Sequence, residues 1–487
     1  MEGFWSLLRS RLRPHRGRSQ EKLLLYPGFL ELVHNASKRG KALLHALWSC
    51  WARKTLESNM SLRDDAQQTI YFNNQVVTPS ATYIYDAVYR LLSATGREHI
   101  GQASQPQTTF DDAPRMHQPL PTDGQAMRNY GETYQYDAVG NILTVIHTAN
   151  NGNWTRTYAY DEPRPNPMNS RLTSTIVSGM TERYNYDAHG NMTQMPHLPI
   201  MEWDFKDQLH VTQQQAVNNG LGEKTYYVYD ATGQRARKVT ERANGTKRQE
   251  RIYLGGFEVY CEYDGGGAAT LERETLHVMD DQQRVSLVET KTIDVSAASN
   301  ILPNTAIRNQ FDNYLGSACL ELDENAAVLS YEEYYPYGST SYQAGRSAAE
   351  MSLKRYRYTG KERDEETGLY YHGARYYAPW LGRWVRADPA GLVAGMNLFA
   401  FVQDNPIIRV DRTGRQGDNS IDDIFKFILN EAGFRAGASN PPTFNSSSAS
   451  PFGTAAHAEA TKVLDDLKRR RSSVAERYDS CAQEVSV

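Results

Sequence analysis

The chain of 487 residues reads as a mainly β protein assembled from repeated hairpins, and three observations carry that expectation. Tyr outnumbers Phe 31 to 14 and Gly occurs 35 times, an excess of strand-favouring aromatics and turn formers. A Tyr-x-Tyr-Asp motif recurs as Tyr83-Ile-Tyr-Asp86, Tyr134-Gln-Tyr-Asp137, Tyr158-Ala-Tyr-Asp161, Tyr184-Asn-Tyr-Asp187 and Tyr227-Val-Tyr-Asp230. The aspartates are 51, 24, 26 and 43 residues apart, a period near 25 with degenerate copies in the larger gaps. Within each copy the two tyrosines alternate with period two, as a half-buried strand requires, and the Asp opens a turn. Units of this kind cannot bury a face alone and must stack into an extended sheet.

In chain order, residues 1–60 form an atypical basic segment, with eleven Lys/Arg against four Glu, so the remainder carries −11 of the net −4. This segment lacks the apolar core and small-residue cleavage site of a secretory signal. Residues 61–345 hold the repeats. The Glu202–Asp207 stretch EWDFKD and the Arg251–Gly256 stretch RIYLGG read as further sheet, Gly265-Gly-Gly as a loop tip, and Tyr335-Pro-Tyr-Gly338 as a turn. The repeat aspartates are expected to be turn formers, and none is nominated as a site. Cys50, Cys261, Cys319 and Cys481 lie far apart, without the spacing of a zinc or redox site, so no cofactor is expected. No run of about 18 apolar residues is present, which predicts no membrane span.

Residues 346–414 carry the chemistry. Asp388 in ADPAG and Asp411 in VDRTG each open an Asp-x-x-Gly turn, 23 residues apart, and Arg375 in GARYYAP precedes the first by 13. Two carboxylates held close cannot both ionise cheaply, so one keeps a proton while the other acts as base. A nearby guanidinium would steady the ionised member or a developing oxyanion.

The segment YRYTGKERDEETGLYYHGARYYAPWLGRWVRADPAGL, with FDNYLGSACLELDENAAVLSYEEYYPYGSTSY upstream, resembles the Rhs repeat-associated core of the Rhs/YD-repeat family. Within that family it looks most like the C-type subunit of insecticidal toxin complexes (Tc toxins). The resemblance runs from about Ser61 to Gly414. It implies a sheet that spirals into a hollow shell, and an aspartyl site of Arg375, Asp388 and Asp411 that cuts the chain just after the core. The implied cut is near Arg415–Gln416, leaving residues 415–487 as a variable, enclosed tail. It also implies a B-type subunit that completes the shell, an A-type pore component on which it docks, and export as part of a toxin complex. One position departs: the family closes on D-P-x-G-L, whereas Arg412 and Arg415 replace the Pro and Leu here.

The tail reads as a short amphipathic helix at 421–433, a Ser/Asn/Pro-rich linker at 436–454 and a charged helical stretch at 456–478. His457-Ala-Glu459 matches half of a zinc deaminase motif, but no P-C-x-x-C follows. Ser339-Thr-Ser341 falls in a turn, and Lys468-Arg-Arg-Arg471 reads as a solvated helix face, so no nucleic-acid partner and no toxin activity are assigned. Two rival readings stay open beside self-cleavage: a non-catalytic YD-repeat interaction scaffold, and a truncated, inactive relic.

Overall fold

A computed structural model describes residues 58–415 apart from 66, 103–120, 122, 162–168, 215–221, 281–282 and 296–303. The expectations for the basic segment at 1–57 and for the tail beyond Arg415 therefore lie outside the described residues. The fold is mainly β, as the repeats predict, and belongs to the Rhs-like β-shell class. Strands follow one another as an antiparallel meander. An eight-stranded sheet runs from Ser58–Arg63 to Met180–Arg183, and a twelve-stranded sheet runs from Ile200–Trp203 to Thr340–Gly345. In the second sheet every strand pairs with the next in sequence. A four-stranded sheet of short segments, Glu362–Arg363, Tyr370–Tyr371, Tyr376–Ala378 and Arg383–Trp384, belongs to the core segment.

The hairpins turn by the chemistry their sequence predicts. At Asp137, carboxylate Oδ1 accepts the amides of Val139 and Asn141 at 2.9 and 2.8 Å, while Oδ2 accepts Asn141 Nδ2 at 2.8 Å. Gly140 takes the left-handed φ of 87° that this turn requires. Asp86, Asp204, Asp230, Asp264 and Asp323 close their turns on the same two amides, and Asp187 on the Asn191 amide. The second tyrosine of the motif stitches one hairpin to the one before. Tyr136, Tyr160 and Tyr229 donate their hydroxyls to the carbonyls of Leu91, Ile142 and Leu209 at 2.8, 2.8 and 2.9 Å. A part-buried hydroxyl thus finds an acceptor and holds the strand spacing.

The two large sheets are linked where strand Leu91–His99 of the first meets the last two strands of the second, Val328–Tyr334 and Thr340–Gly345. Arg97 pairs with Glu333, and the Gln102 side chain bonds the edge backbone of Gln343 through both its oxygen and its nitrogen, at 3.0 and 2.8 Å. That amide mimics a neighbouring strand on an edge otherwise open to mispairing.

The core segment packs against the sheets in two ways. Tyr358, Tyr370, Tyr377, Trp384 and Phe401 form a buried aromatic cluster, with Tyr377 and Phe401 stacked at 3.9 Å between centroids. Around it runs a buried ionic seam. Arg235 pairs with Glu362 and Asp364, Lys238 with Asp364 and Glu366, Arg355 with Glu258, and Lys354 and Arg357 with Glu332. Each cation here neutralises a carboxylate that would be costly to bury alone.

Candidate functional site

Each candidate carboxylate sits in the turn its sequence predicts. Asp388 Oδ1 accepts the Ala390 amide at 2.8 Å, and the Gly391 amide closes the turn on the Asp388 carbonyl at 3.0 Å. Asp411 Oδ1 accepts the amides of Thr413 and Gly414 at 3.2 and 2.7 Å. Arg375 stands on the approach to the Tyr376–Ala378 strand, between the two turns.

The tertiary fold converges all three side chains. Arg375 Nη2 lies 3.0 Å from Asp388 Oδ2 and 3.0 Å from Asp411 Oδ2, so the two oxygens are no further apart than twice that distance. All three residues are buried, at 2, 8 and 1% exposure for Arg375, Asp388 and Asp411. The sequence suggested a guanidinium that steadies the ionised member of a carboxylate pair. In the structure a single Arg375 nitrogen reaches both carboxylates and offsets their repulsion. Arg375 is itself locked: its plane lies over Trp384 at 4.0 Å, and Nε donates to the Gly414 carbonyl at 2.6 Å.

Electrostatics act on Asp388 and on Arg375. Burial raises the Asp388 carboxyl above the ordinary carboxylate range, opposed by Arg375 and the Ala390 amide and reinforced by Asp411. Burial also lowers Arg375, while both carboxylates pull it back, and a guanidinium in that position stays charged.

One supporting residue, His372, escaped the sequence reading. His372 holds the Asp411 carbonyl at 2.7 Å through Nδ1 and meets Trp384 edge-on at 5.0 Å. Burial drives His372 far below the usual imidazole range, so the ring is neutral and Nδ1 carries the hydrogen to donate. Gly414 is required by space as well as by its φ of 69°, since a Cβ there would come within 2.8 Å of Arg375 N and His372 O. The His-Gly-Ala-Arg and Gly-Arg-Trp strings flanking the site were the available signal. Among the described residues no group of three or more His, Cys, Asp or Glu is arranged to hold a metal.

No family model matches the chain. Toxin subunit YenC1 of Yersinia entomophaga is 35% identical over 361 residues, spanning 73% of this chain and 35% of that protein. The chain belongs to the C-type Rhs subunits of Tc toxins. A solved TcdB2-TccC3 structure superposes with a TM-score of 0.61 at 31% identity, covering 73% of this chain and 17% of the other. A Photorhabdus luminescens Tc holotoxin pore gives 0.62 at 30% identity, covering 74% and 16%. This C-type chain thus spans about a third of its curated relative. No helix among its described residues is long and apolar enough to cross a membrane.

Proposed function

We propose that this C-type chain cuts itself near Arg415 by aspartyl catalysis, releasing the region that follows from within its own β wall. The observation that carries the reading is the bridge of Arg375 Nη2 between Asp388 and Asp411, with Nε of the same guanidinium on the Gly414 carbonyl one residue before Arg415. Asp388, whose carboxyl burial favours protonated, supplies the acid that protonates the leaving amine. Asp411, paired with Arg375, draws the proton from the attacking water. The peptide C–N bond breaks as the water oxygen adds to the carbonyl carbon, giving a carboxyl and a free amine. Because the substrate is the same chain, effective concentration is high and one turnover suffices.

In this reading residues 61–345 form the wall, 346–414 the processing core and 415–487 the released tail. A B-type subunit completes the wall, an A-type component supplies the pore, and the complex is secreted. These roles are supported by likeness to the TcdB2-TccC3 and Tc holotoxin structures.

Intact-mass measurement of the full chain tests the proposal. Loss of a C-terminal fragment beginning near residue 416, abolished in both Asp388→Asn and Asp411→Asn, is expected. An uncut wild-type chain would overturn it and favour the non-catalytic scaffold.

A further inference from the structure

Behind the Asp411 turn opens a cavity of about 860 Å³ whose wall includes Ala374, Arg412 and Thr413. Its charge is one-sided. Cations Lys206, Arg284, Lys361, Arg386, Arg412 and Arg415 line it, and of its two acids, Glu362 already answers Arg235 while Asp230 caps its own hairpin turn. Among the described residues Lys206, Arg284, Arg386 and Arg415 form no ion pair with a carboxylate. Arg386 is the sharpest case. It is 7% exposed, donates through Nη1 to the Asp207 carbonyl, and its buried Nε has no partner. Burial lowers its pKa and the charge of Arg415 lowers it too, while Asp207, Tyr229 and Asp204 pull it back without forming an ion pair with it.

A buried guanidinium with no carboxylate in ion-pair contact is costly, and an anion in the hollow would complete its set. Several cations converging on one hollow focus a positive potential that concentrates multiply charged anions. The volume is that of a small-molecule site, and the guanidinium fork fits phosphate oxygens two at a time.

We propose that this cavity binds a polyphosphate anion, anchored by Arg386 and Arg284 from within and by Lys206 and Arg415 at its mouth. The site stands whether or not the chain cuts itself. Where it does, the anion neutralises the field beside the Asp411 turn and the exit of the chain at Arg415.

Titrating the full-length chain with inorganic tripolyphosphate by calorimetry tests the site. Saturable one-to-one binding is expected, weakened about tenfold in Arg386→Gln, the loss of one charge-assisted bond. Since Arg386 is buried, the exposed double variant Lys206→Gln/Arg415→Gln provides a second arm, which folds independently of that contact and is also expected to bind more weakly. Absence of saturable heat with wild type, or unchanged affinity in both variants, would overturn the proposal. Binding in a chain that stays uncut would leave the site standing while refuting self-cleavage, so the two failures are distinguishable.

Discussion

The hairpin turn at Asp137 and the core turn at Asp411 use one local device for different ends. Each gives Oδ1 to amides two or more residues ahead, and each needs a glycine in the left-handed region, Gly140 at 87° and Gly414 at 69°. The difference lies in Oδ2. In the hairpins it is satisfied locally, by Asn141 at Asp137, by Asn191 at Asp187 and by Arg90 at Asp86, each four residues on. In the core, Asp388 and Asp411 turn Oδ2 toward a single remote guanidinium. Turn formation and a long-range ion pair are therefore not alternatives, since a carboxylate has an oxygen for each.

The largest effect expected from breaking this contrast is in the core. Asp411→Asn keeps an oxygen for the turn amides but loses the charge, so self-cleavage should fall by about a thousandfold or more with the thermal midpoint little changed. Time-resolved mass spectrometry reads the first quantity and calorimetry the second. A variant that still cuts at the wild-type rate would place Asp411 with the hairpin aspartates.

Next comes the seam that holds the core to the sheet. Arg235→Met strands Glu362 and Asp364 as buried, under-compensated carboxylates and should cost about 3–5 kcal/mol in denaturant unfolding. A loss under about 1 kcal/mol would mean that the seam adds little to stability.

The hairpin side of the comparison predicts a smaller change. Asp137→Ala leaves the Val139 and Asn141 amides without their acceptor and should cost about 1–2 kcal/mol, with cleavage kinetics untouched. Slowed cleavage there would break the separation between structural and reactive turns.

Two pH dependences sharpen it further. The Asp388 carboxyl must be protonated to act as acid, and its pKa is raised, so cleavage should decline as pH climbs through that raised value and persist below it. Rate against pH in the wild type checks the sign. In the first sheet, His147 lies between Glu98 and Glu132 at 3.2 Å from each. Although burial opposes its charge, both carboxylates outweigh that and lift it to about 9. A raised folded-state value means the stabilisation is complete below the ordinary imidazole value near 6.5 and disappears as pH rises through about 9. Thermal midpoints of wild type and His147→Gln should therefore converge on the alkaline side.

Much of the wall was legible from residues alone because its determinants are local. A period-two Tyr-x-Tyr pattern makes a strand and an Asp with a Gly three residues on makes a turn, so meander and hairpins follow without knowledge of distant partners. The ionic seam was not legible. Arg235, Glu258 and Glu332 look like any solvated strand charges until the core segment, up to 129 residues away, covers them.

The candidate site divides in the same manner. Sequence by itself determined which residues could act, since Arg375, Asp388 and Asp411 stand in recognisable turn and strand strings, and it determined the repeat that builds the sheet. Only the tertiary structure decided that one Arg375 nitrogen would bridge both acids, that Trp384 and His372 would lock the arrangement, and that Arg386 would face Arg415 across a cationic hollow. The physical reason is range. Turns and strand alternation are settled by neighbours within a few residues, whereas charge pairing and burial depend on which surfaces the folded chain finally brings together.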